Sequence, residues 1–374
     1  MKKIDVRLEK IFAFSNKDYM HTCLVYVNDF SKAKKFFESK KIEVLKEYKF
    51  LNLIAIKSNQ DAIFSLEYMP FIDYVAESSR VMALTSVARK ILGADNLDFG
   101  GENVAVAVID TGISTHFDFV LGHNRIIKFV DLINKKKLSY DDNGHGTFVA
   151  GVLGGSGLMS FKKFRGFAPG CNIVSIKALD KNGEANAMVI LDAMEWVYDN
   201  RKKYNIKVVC MSFGSEPIGY NDPIMKGAEK LWSNGIVVVA AAGNSGPKFR
   251  TIKSPGISSK IITVGGFNDN RKNDKYEENY FEIADFSSRG PALSGIKPDL
   301  VAPSVDITSC DKNNGYIKLS GTSVATPMIA GICALIIQKY PNFNPDQIKK
   351  LLLKCCKSIC HNYNLEGMGY PKIT

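Results

Sequence analysis

The stretch VAVAVIDTGIS, residues 104–114, is an unbroken apolar run that stops at Asp110, Thr111 and Gly112. It lacks the polar alternation of a half-exposed strand, so it suits a strand buried on both faces, as in a parallel sheet. Open parallel sheets gather functional groups at the carboxyl ends of their strands, and Asp110 stands at such an end. IVSIKAL (173–179), VVCMSF (208–213), IVVVAAA (236–242) and IITVGG (261–266) have the same texture. ANAMVILDAMEWVYDNRKKY (185–204) and PIMKGAEKLWSNG (223–235) read as helices between them, and PDQIKKLLLKCC (345–356) as a closing amphipathic helix. The alternation predicts an α/β domain, a mostly parallel sheet with helices on both faces.

Upstream lies a smaller pattern. HTCLVYV (21–27), IEVLKEYKF (42–50), LNLIAIK (51–57) and FIDYVAE (71–77) read as strands. SKAKKFFESK (31–40), with Ser31 as a candidate cap, and NQDAIFSLEYM (59–69), stopped by Pro70, read as helices. The order strand–helix–strand–strand–helix–strand predicts a small α+β, ferredoxin-like N-terminal domain. Its expected core is Leu24, Tyr26, Phe36, Phe37, Leu53, Ala55, Phe64 and Tyr74. A linker follows, giving a division into 1–84 and 85–374.

Composition is that of a globular chain, 45% hydrophobic and 23% charged. The apolar run Ile11–Phe14 is too short for the core of a secretion signal, and no window reaches an uninterrupted membrane-spanning length. Eight scattered cysteines, several inside apolar runs, fit a reducing compartment better than a disulfide framework. These features predict a cytoplasmic protein without a membrane partner. The net charge of +11 is spread along the chain with no recognition motif, so a basic solvated surface is expected rather than a nucleic-acid partner.

Three segments carry chemistry: Asp110 in VAVIDTGIS, His145 in DDNGHGTFVAG (141–151) and Ser323 in LSGTSVATPMIAG (319–331). Each alone has a plain structural reading: a strand-end turn, a Gly-His-Gly turn, a helix cap. Together they supply a hydroxyl, an imidazole to take its proton, and a carboxylate to orient that imidazole.

These segments resemble the Asp, His and Ser boxes of the subtilisin-like serine proteases, from about Val104 to Tyr340. AAGNSGP (241–247) resembles the oxyanion box, and RGFAPG (165–170), FSSRGP (286–291) and KPDLVAPS (297–304) resemble further segments, closest to bacterial intracellular types. The resemblance implies a subtilisin-like fold and a serine endopeptidase with the triad Asp110, His145 and Ser323, and Asn244 at the oxyanion. It implies that polypeptide substrate lies along Ser212–Phe213–Gly214 and Asn182–Gly183–Glu184–Ala185. It also implies that residues 1–84 act as a propeptide, an intramolecular inhibitor and folding chaperone, with the chain made as a zymogen. Processing is expected between Glu77 and Thr85, favouring Leu84, or at Glu77 if acidic residues are preferred. The other readings are a maturation protease dedicated to one leader peptide or zymogen, and a catalytically silent pseudoprotease.

Two departures from that family stand out. Many secreted members hold structural calcium between the His-box helix and the next strand. Here GGSGLMSFKKFRG (154–166) has no Asp or Glu and carries Lys162, Lys163 and Arg165. Calcium wants carboxylate and carbonyl oxygen, so this metal site is not expected, Asp118 alone being weak support; structural calcium elsewhere stays open, and no other cofactor is expected. In TIKSPG (251–256), Lys253 stands where relatives usually have Gly, near the pocket for the residue before the scissile bond. It would pair there with an acidic side chain, or else point to solvent.

Overall fold

The structure, a computed structural model, describes residues 3–5, 8, 12, 16–77, 87–272, 275–293 and 295–373. Leu84 and Thr85 of the expected processing window fall outside the described residues. The chain separates into two compact units, Met1–Ala83 and Leu84–Thr374.

In the first unit, β1 (His21–Val27), α1 (Phe30–Ser39), β2 (Glu43–Tyr48), β3 (Leu53–Ser58), α2 (Gln60–Ser65) and β4 (Ile72–Glu77) follow in order. The strands pair antiparallel as β2-β3-β1-β4, the ferredoxin-like arrangement. Two expectations are corrected. Asp29, not Ser31, caps α1, its carboxylate accepting from Lys32 N at 3.0 Å. The core is built on Cys23, Val25, Val27, Phe37, Ile54, Ile56, Ile63 and Val75. Tyr26 and Tyr74 are cross-strand partners on the opposite face, each 39% exposed. Leu53 and Ala55 are buried but share that opposite face with Tyr26 and Leu24. Both faces of β1 are apolar, and a period of two fixes which residues share a face without saying which face the helices cover.

The second unit opens with α3 (Val87–Leu92) and β5 (Ala105–Asp110). Then come α4 (Phe117–Val120), β6 (Ile126–Asp131), α5 (His145–Gly154), β7 (Asn172–Lys177), α6 (Ala187–Asn200), β8 (Ile206–Met211), α7 (Pro223–Ser233) and β9 (Val237–Ala241). β10 (Ile262–Asn268), β11 (Glu282–Ile283), β12 (Leu300–Pro303), β13 (Ile307–Cys310), β14 (Tyr316–Leu319), α8 (Thr322–Lys339) and α9 (Pro345–Lys354) follow. The central sheet runs β11-β10-β9-β8-β5-β7-β6, with β12 also beside β10. Its pairings are parallel except that of β10 with β11.

Every residue of β5 is buried, so helices cover both sheet faces there. The helices pack in pairs, α5 with α8 and α6 with α7. α8 also packs on β8, β9 and β10. By length and composition α8 could cross a membrane, though Thr322, Ser323, Thr326, Gln338 and Lys339 interrupt its apolar run. It is a core helix: 83% of it is buried inside the fold.

Candidate active site

β5 delivers Asp110, buried, to the sheet's carboxyl edge. Its Oδ1 accepts from Thr111 N at 2.7 Å and from His145 Nδ1 at 2.8 Å. His145 is the first residue of α5, after Gly144 at φ 112°, a left-handed turn that favours glycine. Asp141 braces this turn: its carboxylate accepts from the backbone N–H of Asn143, Gly144 and Thr147 and from the hydroxyls of Thr111 and Thr147. Burial alone would lower the His145 pKa. The charge and hydrogen bond of Asp110, joined by the charge of Asp141, outweigh it and raise the pKa above the ordinary value.

Ser323 is the second residue of α8, so its backbone N–H is one of the helix-start donors without an intrahelical acceptor. Gly321 precedes the helix at φ 151°, and a Cβ there would stand 3.2 Å from Ser323 Oγ and 3.3 Å from Asn244 Nδ2. The Asn244 amide is therefore beside the serine. Its Oδ1 accepts from Thr322 N at 2.9 Å and Thr322 Oγ1 at 3.0 Å, while Nδ2 has no hydrogen-bond partner among the described residues. Among the described residues, Ser323 Oγ forms no hydrogen bond with His145. Such bonds are often long before substrate arrives and tighten in the complex.

The two expected substrate edges meet. Gly183, Glu184 and Ala185 line one cavity of about 440 Å³ together with Phe213, Gly214 and Glu216. Ser212 is buried, its hydroxyl 3.6 Å from Cys210 Sγ, so only its backbone is placed to serve a ligand. Lys253 packs its stem and carries its ammonium out to an exposed bond. Its stem lies against Gly214 and Gly243, and its ammonium pairs with Glu216.

A model of the subtilase family matches residues 101–369. The chain belongs to the subtilase family. It is a subtilisin-like serine protease, a hydrolase. Serine protease AprX of Bacillus subtilis (strain 168) is 42% identical over 274 residues, 67% of this chain; the chain spans 61% of AprX. M-protease of Shouchella clausii (strain KSM-K16) is 30% identical over 338 residues, 89% of this chain and 81% of that protein. Among solved structures, Sphericase matches with a TM-score of 0.66 at 26% identity, covering 79% of this chain and all of that one. S41 Psychrophilic Protease matches with a TM-score of 0.67 at 27% identity, covering 78% of this chain and all of that one.

The calcium loop of such folds can be tested on Asp118 of this subtilase. Its Oδ2 accepts from Tyr316 OH at 2.7 Å and Cys310 Sγ at 3.7 Å; its Oδ1 accepts from Met159 N at 3.0 Å. Burial first, then the hydrogen bond and charge of Asp118, push the tyrosine and the thiol far up, so both stay protonated donors. A carboxylate spent on O–H, S–H and N–H donors does not fit calcium. His116, Asp118 and Cys310 bring ligand atoms within 4.8 Å of one another. Both His116 nitrogens are already used, however: Nδ1 accepts from Asp118 N and Nε2 donates to Gly315 O.

Sequence reasoning missed Asp141 and Lys177. Lys177 Nζ is buried and donates to Thr111 O at 2.7 Å, Asp142 Oδ1 at 2.6 Å and Leu179 O at 3.0 Å. It thereby ties the Asp turn, the His turn and the start of one substrate edge. Asp141 was findable, since DD before NGHG is the kind of turn-bracing acid a tight helix start needs.

Proposed function

We propose that this subtilase cleaves polypeptides through an acyl-enzyme on Ser323, with His145 as general base and acid, Asp110 as its partner and Asn244 at the oxyanion. Ser323 Oγ forms a bond to the scissile carbonyl carbon while its proton passes to His145 Nε2. The carbonyl oxygen gains negative charge, stabilised by Asn244 Nδ2 and the Ser323 N–H. The C–N bond then breaks and His145 gives the proton to the leaving amine; water repeats the sequence to release the acid. The observation that carries this reading is the 2.8 Å bond from His145 Nδ1 to Asp110, which leaves Nε2 as the free base. A fluorophosphonate probe should label the protein at Ser323 and fail on Ser323→Ala; labelling elsewhere would refute it.

Substrate backbone adds a strand along Phe213–Gly214 and Gly183–Glu184. Residues 1–84 serve as a propeptide, inhibiting and assisting the folding of the catalytic unit. Their ferredoxin-like order supports this, as does the M-protease alignment, which is longer than the second unit itself. N-terminal sequencing of purified active protein checks it, and a start at residue 1 would count against processing. Eight free cysteines, five of them buried, support a reducing, cytoplasmic setting. The spent carboxylate of Asp118 supports function without calcium at that position.

A further inference from the structure

Lys177, Lys297 and Lys253 have most of their side chain buried, and they differ in how their ammonium donors are used. Lys177 and Lys297 each spend three donors. Lys297 Nζ reaches Ile261 O, Thr263 Oγ1 and Asp299. Lys253 is only 16% exposed, yet among the described residues its ammonium has one partner, Glu216. An ammonium carries three donors, so Lys253 keeps two unspent. Glu216 is 83% exposed, and Lys253 is its only hydrogen-bond or ion-pair partner among the described residues.

The pair sits beside the reaction centre. Lys253 N donates to Ala242 O at 2.9 Å, and Ser254 exchanges two backbone bonds with Ser215 at 2.9 and 3.0 Å. This holds the Lys253 stem in the space that glycines leave open. A Cβ on Gly214 would come within 2.6 Å of its Cβ, and one on Gly243 within 2.5 Å of its Cγ. Gly243 adjoins Asn244, and Gly214 and Glu216 line the substrate cavity.

We propose that Lys253 and Glu216 select charge beside the reacting serine, Glu216 being a replaceable counter-ion that an acidic substrate side chain displaces. The proposal rests on Ser323 being the nucleophile. The Lys253–Glu216 bond lies exposed to solvent, so the ammonium can exchange one carboxylate for another at little desolvation cost. Glu216 supplies one in the resting enzyme and loses little on release, because an exposed carboxylate is rehydrated where it stands. A Glu or Asp immediately before the scissile bond meets two free donors as well as the charge, which a neutral residue of the same shape cannot use.

The experiment compares two fluorogenic peptides differing only in Glu against Gln at that position, with enzyme titrated by fluorophosphonate. The ratio of kcat/KM values is internal to each variant, so partial loss of folded protein cancels. Wild type should favour Glu. Glu216→Gln should raise the Glu:Gln ratio about tenfold, the scale of one charged hydrogen bond. Lys253→Met, which keeps the stem, should bring the ratio to one or below. Failure of either shift overturns the proposal. No labelling of Ser323 in wild type would overturn the nucleophile assignment, and this proposal with it.

Discussion

Asp141 holds Thr147 twice through a single carboxylate oxygen, at the backbone N–H (2.8 Å) and at the hydroxyl (2.7 Å). Thr147 lies two residues past His145 on the same helix, so the grip sets where the imidazole begins. The same carboxylate adds negative charge that helps keep the His145 pKa above 6.5.

The pH dependence of kcat/KM follows from that charge. The general base must be neutral, so activity should rise with pH through a midpoint above histidine's ordinary 6.5. Asp141→Asn keeps an oxygen for the turn but removes the charge, so the midpoint should move to lower pH. A pH series on titrated enzyme reads this directly; an unmoved midpoint would leave Asp141 with a purely mechanical part.

Asn244 is fixed by Thr322 through its Oδ1, which leaves Nδ2 without a partner near the serine. Asn244→Ala should therefore lower kcat with little change in KM, because the amide acts on charge that develops only in the transition state. The expected loss is about 10²–10³, a magnitude taken from subtilisin itself rather than derived from this structure. A rise in KM at constant kcat would instead make Asn244 a ground-state binder.

Much of the site was legible because its chemistry needs particular residues on particular turns. Asp110 follows an apolar strand, and His145 and Ser323 each stand beside glycines that start a helix. What stayed hidden depends on distant segments meeting. The packing of the Lys253 stem is allowed by the missing side chains of Gly214 and Gly243, which no local pattern reveals. Lys177 reads as one more residue of a strand until Thr111, Asp142 and Leu179 converge on it. The β1 and β4 part of the small domain's core was misread for a different reason, while Phe36, Phe37 and Phe64 do belong to that core or pack against it. Tyr26 and Val25 are both apolar enough to face inward, and only the packing of Phe37 and Ile63 against Val25 decides between them.

Asp118 offers a stability test. Tyr316→Phe removes its best donor and leaves a buried carboxylate oxygen short of a partner, at a cost of about 1–3 kcal/mol. Urea unfolding in a Ser323→Ala background avoids self-digestion and measures it. In that background, EDTA should leave Tm unchanged if this network stands where related folds place calcium. A fall of several degrees on chelation, restored by calcium, would contradict the replacement.

Lys177→Met separates holding the site from forming it. The substitution keeps the buried stem but strips one ion-pair partner from Asp142 and one donor from each of two carbonyls. Asp142 is 36% exposed, so water can take over part of that loss and the stability cost should stay near 2–3 kcal/mol. The larger effect should be kinetic. Thr111 and Leu179 flank the Asp110 turn and a substrate edge, so loosening them misaligns both the imidazole and the bound backbone, and kcat and KM should worsen together. Fluorophosphonate titration of the surviving folded enzyme distinguishes this from simple unfolding. If titrated Lys177→Met enzyme turns over as wild type does, the buried ammonium supports the fold alone.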